Sequence, residues 1–517
     1  AGRLRRRHPD RMTLVLARTH DDGIGGWSER TILAAALALH VVAWTLFATL
    51  SHATVHHDMT EAFAWGQEWQ AGYYKHPPFY AWMTAGWFSV FPRQSWAFFL
   101  LSEANAALGL AGAWAIARRL LPAPNALAVL AMLGLTPLYG LAAMKFNANT
   151  ALLSLWPWTA YALIRMLETP KGGSGVAWGM AFGLLAAASF LTKYYSGLLL
   201  VACLGAALLH PNARAFLRSA APYVAVVVGS VAIAPHVVWL VASGYQTLEY
   251  AAATTKHPTL AILARGGGAI AQAVAVHVLP LAVLRWALPA DRRAGLWARV
   301  RCGLARPEQR WIVVLATGPF VLSFIALLVA HVRISAQFMI PIFFMVPTMV
   351  LALSGDRLDA AGLKRLAGPA LAVCLLGLVA GPIGALVYFK SSGTIAVEPR
   401  EAVAHEVTRA WREAFGRRLD IVAGDERYAQ AAAFYGADQP SEFSAFDARL
   451  APWVSPARLA ASGMAIICRA GQDNCLGPAA RWTTPATRRV EIDVTPSLLW
   501  MTAPPQRFVL LLVPPAP

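Results

Sequence analysis

Asp58 and Glu61 stand three residues apart in the stretch 56–82, HHDMTEAFAWGQEWQAGYYKHPPFYAW. Positions three apart share one face of a helix, so a helical segment would present both carboxylates together. Phe63, Trp65 and Trp69 suit a helix lying at a membrane surface, where amphipathic rings prefer the headgroup level. The run Gly72-Tyr73-Tyr74-Lys75-His76-Pro77-Pro78 then breaks that helix and returns an ammonium and an imidazole to the acids. Such a set offers a proton acceptor and a counter-charge for a phosphate. The plainer account is a pair of solvated acids beyond a span, followed by a proline turn. On residue chemistry alone the plainer account is the commoner one, and the cost of ionisable groups beside a bilayer keeps the site reading beside it.

The elements that position these residues follow from composition. The chain has 517 residues, 57% hydrophobic and 14% charged, with mean hydropathy +0.49. Soluble domains carry about 25% charged residues, so this is a polytopic membrane protein. Apolar runs of spanning length lie at 31–51, 94–117, 125–143, 148–165, 175–191, 196–210, 221–243, 269–289, 311–330, 337–353 and 368–389. The expected architecture is an all-α membrane bundle of about eleven spans with a small C-terminal α/β domain. Its divisions are a basic arm over 1–30, a membrane domain over 31–389 with its first external loop at 52–93, and a soluble domain over 390–517.

The net charge of +17 does not call for nucleic acid, because the cations cluster in alternate short loops. Arg118-Arg119, Arg165 with Lys171, Arg214 with Arg218, the six arginines of 291–310, and Arg357 with Lys364-Arg365 mark one face as cytoplasmic. The Arg-rich N-terminus joins them, and an odd number of spans puts loop 52–93 and everything after 390 outside. The segment 3–11 is too basic and polar to be a signal-peptide core. Outside lie only Lys75, Arg93, Lys145, Lys193, Lys256, Arg265 and Arg333. Each alone is an ordinary snorkelling cation; as a set near an acidic loop they suit a phosphate. Lys75, Lys193 and Arg333 are the first choices, since each has aromatic or polar neighbours at a span end: Tyr73-Tyr74, Tyr194-Tyr195, and His331 with Gln337.

The segment 244–268 reads as a long connection with a hinge at Gly266–Gly268, serving as a lid or a slack connector. After 390, apolar runs at 419–423, 464–468, 489–494 and 507–513 read as strands, with helical patterns at 398–416 and 426–435. No P-loop, GxGxxG, HExxH or GxSxG is present. The polar segment 424–443 reads as structural, with a share in acceptor recognition. Cys468 and Cys475 would close a small disulfide loop in an oxidising compartment, while Cys203, Cys302 and Cys374 read as free thiols. His56-His57-Asp58, completed by His76, is the one conceivable metal set, but consecutive helical residues point to different faces. No metal or other cofactor is required, a divalent metal remaining the lesser alternative.

An acidic residue soon after the first span, a GYYKHPP motif running into aromatics, and SFLTKYYSGLLL at 189–200 together resemble glycosyltransferase family 39. That group includes lipid A aminoarabinose transferases, protein O-mannosyltransferases and lipopolysaccharide galacturonosyltransferases. The resemblance covers about residues 30–390 and is most specific over 56–82. It implies a GT-C fold with interfacial helices in the first external loop, in a bacterial inner membrane with the site and C-terminal domain in the periplasm. It also implies transfer of a sugar from a polyprenyl-phosphate donor to an extracytoplasmic acceptor, a glycolipid, lipopolysaccharide or protein. The family's first-loop carboxylate maps onto Asp58, with Glu61 as the second acid. The usual Asp-Glu doublet is here Asp58-Met59-Thr60-Glu61, which leaves the choice of base open. Lys75, His76, Lys193, Tyr194 and Arg333 would hold the donor phosphate, and Tyr74, Trp65, Tyr195 and His331 the substrates. The rival class is a polyprenyl-lipid flippase, which would carry internal repeats and charges at mid-bilayer. Glu103, His236 and His277 are the only candidates for such charges.

Overall fold

The computed structural model describes residues 26–169, 172–255, 259–329, 335–392 and 398–516. The chain is mostly helical, and eight described helices are long and apolar enough to cross a membrane. Two shorter apolar helical segments, Ala123–Gly134 and Tyr194–Leu209, accompany them. The first helices are α1 (Glu29–Ser51), α2 (His57–Gly66), α3 (Phe79–Phe88) and α4 (Ser95–Leu120). They are followed by α5 (Ala123–Gly134), α6 (Leu152–Glu168), α7 (Gly173–Thr192) and α8 (Gly197–Leu209). Later apolar helices run over Ala221–Ala242, Thr259–Ala287, Arg310–Val329 and Ala360–Ser392. The protein is a multi-pass membrane protein.

Two expectations about the membrane region are corrected. The apolar run 125–143 is helical only to Gly134, and turns occupy the chain from there to Leu152. Pro137 and Gly140 cannot sustain the helix, and Asn147 supplies a competing side-chain acceptor: its Oδ1 takes the N–H groups of Asn149 at 2.9 Å and Thr150 at 3.1 Å. The supposed long loop 244–268 is also mostly helical. Gln246–Thr255 is one helix, and Gly266–Gly268 lie inside Thr259–Ala287. Arg265 precedes the glycines and Ala269-Ile270 follow them inside that helix, and glycine is common in membrane helices.

Beyond 398 the chain forms a five-stranded sheet in the order β2-β1-β3-β7-β4. Its strands are β1 (Ile421–Gly424), β2 (Ser441–Glu442), β3 (Met464–Arg469), β4 (Arg488–Val494) and β7 (Gln506–Val513), with β5 (Ser497–Leu498) and β6 (Met501–Thr502) a separate hairpin. β1 pairs in parallel with β2 and β3, whereas β7 is antiparallel to β3 and β4. Cys468 and Cys475 are joined in a disulfide, and Cys203, Cys302 and Cys374 are free.

This domain shares a core with the loop between α1 and α4. Phe434, on the helix Glu426–Tyr435, sits with its ring centroid 5.2 Å from each of Phe63 on α2, Phe88 on α3 and Phe98 on α4. Arg93 donates to the carbonyls of Phe434 and Gly436, each at 3.0 Å, and the Val55 N–H donates to the Tyr435 hydroxyl at 3.0 Å. The sheet domain is thereby fixed onto the loop that carries the acids.

Candidate active site

His56 caps α2 in an extended conformation, and its Nδ1 accepts the Asp58 N–H at 3.1 Å. That one extended residue defeats the expectation that His56, His57 and Asp58 point apart: their ligating atoms lie within 4.8 Å of one another. His76 is not part of the group. The ammonium of Lys145 already sits 2.8 Å from Asp58 Oδ2, so a metal ion there would face a neighbouring positive charge.

Asp58 is densely solvated by the protein. Its Oδ2 accepts from Lys145 and from Asn147 Nδ2 at 2.9 Å, and its Oδ1 accepts from His57 Nε2 at 3.0 Å. Burial works against the carboxylate, yet the histidine contacts and the Lys145 charge hold it well below the usual range. Asp58 is therefore a firm anion and a weak base. Lys145 stood among the external cations without being a first choice, while Asn147 and Asn149 were concealed by the apolar runs on either side of them. The polar string Lys145-Phe146-Asn147-Ala148-Asn149-Thr150 was the signal in the sequence.

Glu61, one turn along α2, receives the Lys75 ammonium at 2.6 Å. Glu426 of the sheet domain accepts from the same ammonium at 3.2 Å and from the Tyr74 hydroxyl at 3.2 Å. Burial opposes the Lys75 charge, but Glu61 and Glu426 hold it well above the normal value. Burial likewise pushes Glu61 up, against the pull of Lys75. The ammonium also lies 5.7 Å from the centroid of Trp65 and 5.1 Å from that of Tyr74. Trp65 is fully buried and stacks on Tyr73, so it supports the lysine from behind.

The turn from α2 to α3 is set by tight approaches. A Cβ on Gly72 would come within 2.2 Å of the Trp239 ring, and one on Gly66 within 2.4 Å of the Ala81 carbonyl. Lys193, just past the end of α7, donates to Asn149 Oδ1 at 2.5 Å and lies 3.7 Å from the centre of the Phe338 ring. Burial brings its pKa down to about 7. Asp58, Glu61, Lys75, His76 and Lys193 all line one cavity of about 1460 Å³.

A profile of the dolichyl-phosphate-mannose-protein mannosyltransferase family matches residues 75–239. Among solved structures, ArnT from Cupriavidus metallidurans bound to undecaprenyl phosphate is similar with a TM-score of 0.59 at 15% identity, over 93% of this chain and 98% of that one. The same protein in the apo state gives 0.56 at 16%, with the same coverage. The chain has the GT-C fold. The resemblance read from the first loop holds, and the GT-C architecture extends through the C-terminal domain. No curated protein matches the sequence.

Within this GT-C fold the remaining expected residues fall as follows. Tyr194 and Tyr195 also line the cavity. The Tyr194 hydroxyl bonds His236 Nε2 at 2.7 Å, while His236 Nδ1 lies 2.7 Å from the Ala71 carbonyl. The Tyr195 hydroxyl bonds Ser323 at 2.6 Å. His76 is half-buried with its ring edge-on to Tyr80, and desolvation lowers its pKa to about 3, so it is a neutral wall. Tyr74 reaches the site through Glu426 and Lys75 and through its edge-on contact with Tyr250 of the cavity lining. His331 and Arg333 lie outside the described residues. Of the candidate mid-bilayer charges, Glu103 pairs with His40 at 3.3 Å, and His277 bonds its own helix at the Ala273 carbonyl. Neither Glu103 nor His277 lines the cavity.

Proposed function

We propose that this protein is a membrane glycosyltransferase that moves a sugar from a polyprenyl-phosphate carrier to an extracytoplasmic hydroxyl acceptor, with inversion. The observation that carries the reading is the gathering of Asp58, Glu61, Lys75 and Lys193 on one cavity wall. A polyprenyl-phosphate sugar is already activated, because the lipid phosphate is the leaving group. The reaction needs a proton acceptor near the attacking oxygen and cations where charge grows on the phosphate. The Asp58 cluster supplies the first, and Lys75 with Lys193 the second. A phosphate reaching Lys75 displaces one carboxylate, and Glu426, the longer contact and 38% exposed, is the one to yield. No metal is required by this arrangement.

Two features favour a periplasmic site at a bacterial inner membrane. The disulfide between Cys468 and Cys475 suits an oxidising compartment, and the dense arginine loops fall between spans that exclude the site loop. An amphipathic acceptor of glycolipid or lipopolysaccharide type fits a cavity beside the bilayer better than a folded protein does. Mass spectrometry of envelope glycolipids and glycoproteins from cells with and without the gene tests the reading. One sugar should vanish from one lipid class, and Asp58→Asn should fail to restore it while inserting normally. An unchanged glycan inventory would refute the transferase reading.

A further inference from the structure

A second cavity, of about 690 Å³, lies behind the Asp58 cluster. Phe47, Phe99 and Tyr388 give it an apolar wall, and Lys145, Arg400 and Arg427 a cationic one. Asp58 lines only the first cavity, while His56 and Lys145 line only the second. His57 lines both, as does Arg427 on the sheet-domain side. The contact between His57 and Asp58 is therefore a partition, with an imidazole as the group common to its two faces.

We infer that His57, oriented by Asp58, is the general base that takes the proton of an acceptor hydroxyl presented from the second cavity. The inference rests on the transferase reading above and refines it. Asp58 is already satisfied by Lys145, Asn147 and His57, and a carboxylate so stabilised is a poor proton acceptor. The same anion fixes the His57 tautomer. Nε2 carries the hydrogen that Asp58 Oδ1 accepts at 3.0 Å, which leaves Nδ1 with a lone pair that accepts no hydrogen bond among the described residues. His56 cannot substitute, because its Nδ1 is occupied by the Asp58 N–H. This is the division of labour of a carboxylate-oriented histidine base.

In the step itself, the acceptor O–H gives its proton to His57 Nδ1 as the oxygen bonds the anomeric carbon. The bond from that carbon to the phosphate oxygen breaks, and its electron pair leaves on the polyprenyl phosphate. Lys75 and Lys193 meet that charge, Asp58 stabilises the imidazolium, and the proton is lost to solvent. The apolar and cationic walls of the second cavity fit an amphipathic acceptor.

The test uses the full chain in nanodiscs with an envelope lipid extract as the source of donor and acceptor, read by mass spectrometry for the transferred sugar. His57→Asn should lower turnover at least ~100-fold, the range of lost general-base catalysis, with undecaprenyl phosphate Kd within about twofold of wild type. Added imidazole should restore part of the activity of His57→Ala but none of that of Asp58→Asn, whose imidazole is present but misoriented. Thr54→Trp, which fills the second cavity, should raise the extract concentration needed for half-maximal rate and leave undecaprenyl phosphate binding unchanged. Near-normal turnover by His57→Asn, or loss of undecaprenyl phosphate binding in step with turnover and no imidazole rescue, would overturn the inference. Wild-type protein that binds undecaprenyl phosphate yet transfers no sugar would instead overturn the transferase reading.

Discussion

Lys75 and Lys193 are cations of different kinds. Lys75 sits between Glu61 at 2.6 Å and Glu426 at 3.2 Å and remains charged throughout the physiological range. Lys75→Ala removes a charge-assisted contact worth roughly 1.5–3 kcal/mol, so undecaprenyl phosphate should bind about 10- to 100-fold more weakly by calorimetry. Among the described residues Lys193 forms no ion pair with a carboxylate, and burial, opposed by the more distant Asp58 charge, brings it to about 7. Below that pH the ammonium is available to an anion without cost, and above it a proton must be taken up on binding. The affinity advantage of wild type over Lys193→Met should therefore be largest below about pH 7 and shrink as pH rises. An advantage independent of pH would place Lys193 away from the phosphate. These two lysines were legible because positive charge on the far side of a membrane protein needs an explanation. Asp58 was legible as an acid and Lys145 as one of the external cations, but their meeting with Asn147 was not, because only the fold brings the three together.

At the scale of elements, the site depends on α2 and α3 meeting at a short, sharply bent connection. Gly72 has no room for a methyl group beside Trp239 of the helix Ala221–Ala242. Gly72→Ala should cost about 1–3 kcal/mol as an overpacking change, seen as a lower melting temperature and reduced donor affinity. A variant of unaltered melting temperature would show that the connection is slack. That a helix carries both acids could be read from residue types, but α2 already ends at Gly66, six residues before the expected break at Gly72, and leaves Trp69 outside it. The turns between Gly134 and Leu152 were not read, because hydropathy counts apolar residues and passes over both Pro137 and the Asn147 side chain that captures the N–H groups of Asn149 and Thr150. The helix through Gly266–Gly268 was missed for the opposite reason: glycine punctuates soluble chains but is accommodated in membrane helices.

Across the whole molecule, the C-terminal domain is part of the site and not an appendage. Its strands and helices were legible because alternating apolar runs and helical patterns are local signals. Its docking was not, since it depends on Phe434 entering a cluster drawn from α2, α3 and α4, and on Glu426 of the same helix reaching Lys75. Phe434→Ala should cost about 3–5 kcal/mol, expose the sheet domain to limited proteolysis, and lower transfer with it. Unchanged proteolysis would mean that the domain is held elsewhere. The account as a whole stands on the acids and cations of one cavity serving a phosphate-linked lipid. A cryo-EM structure of the protein with undecaprenyl phosphate tests that directly. The phosphate is expected within hydrogen-bonding distance of Lys75 or Lys193, with Glu426 moved off the Lys75 ammonium. A phosphate seated among Arg400 and Arg427 in the second cavity, with the Lys75 contacts intact, would contradict it.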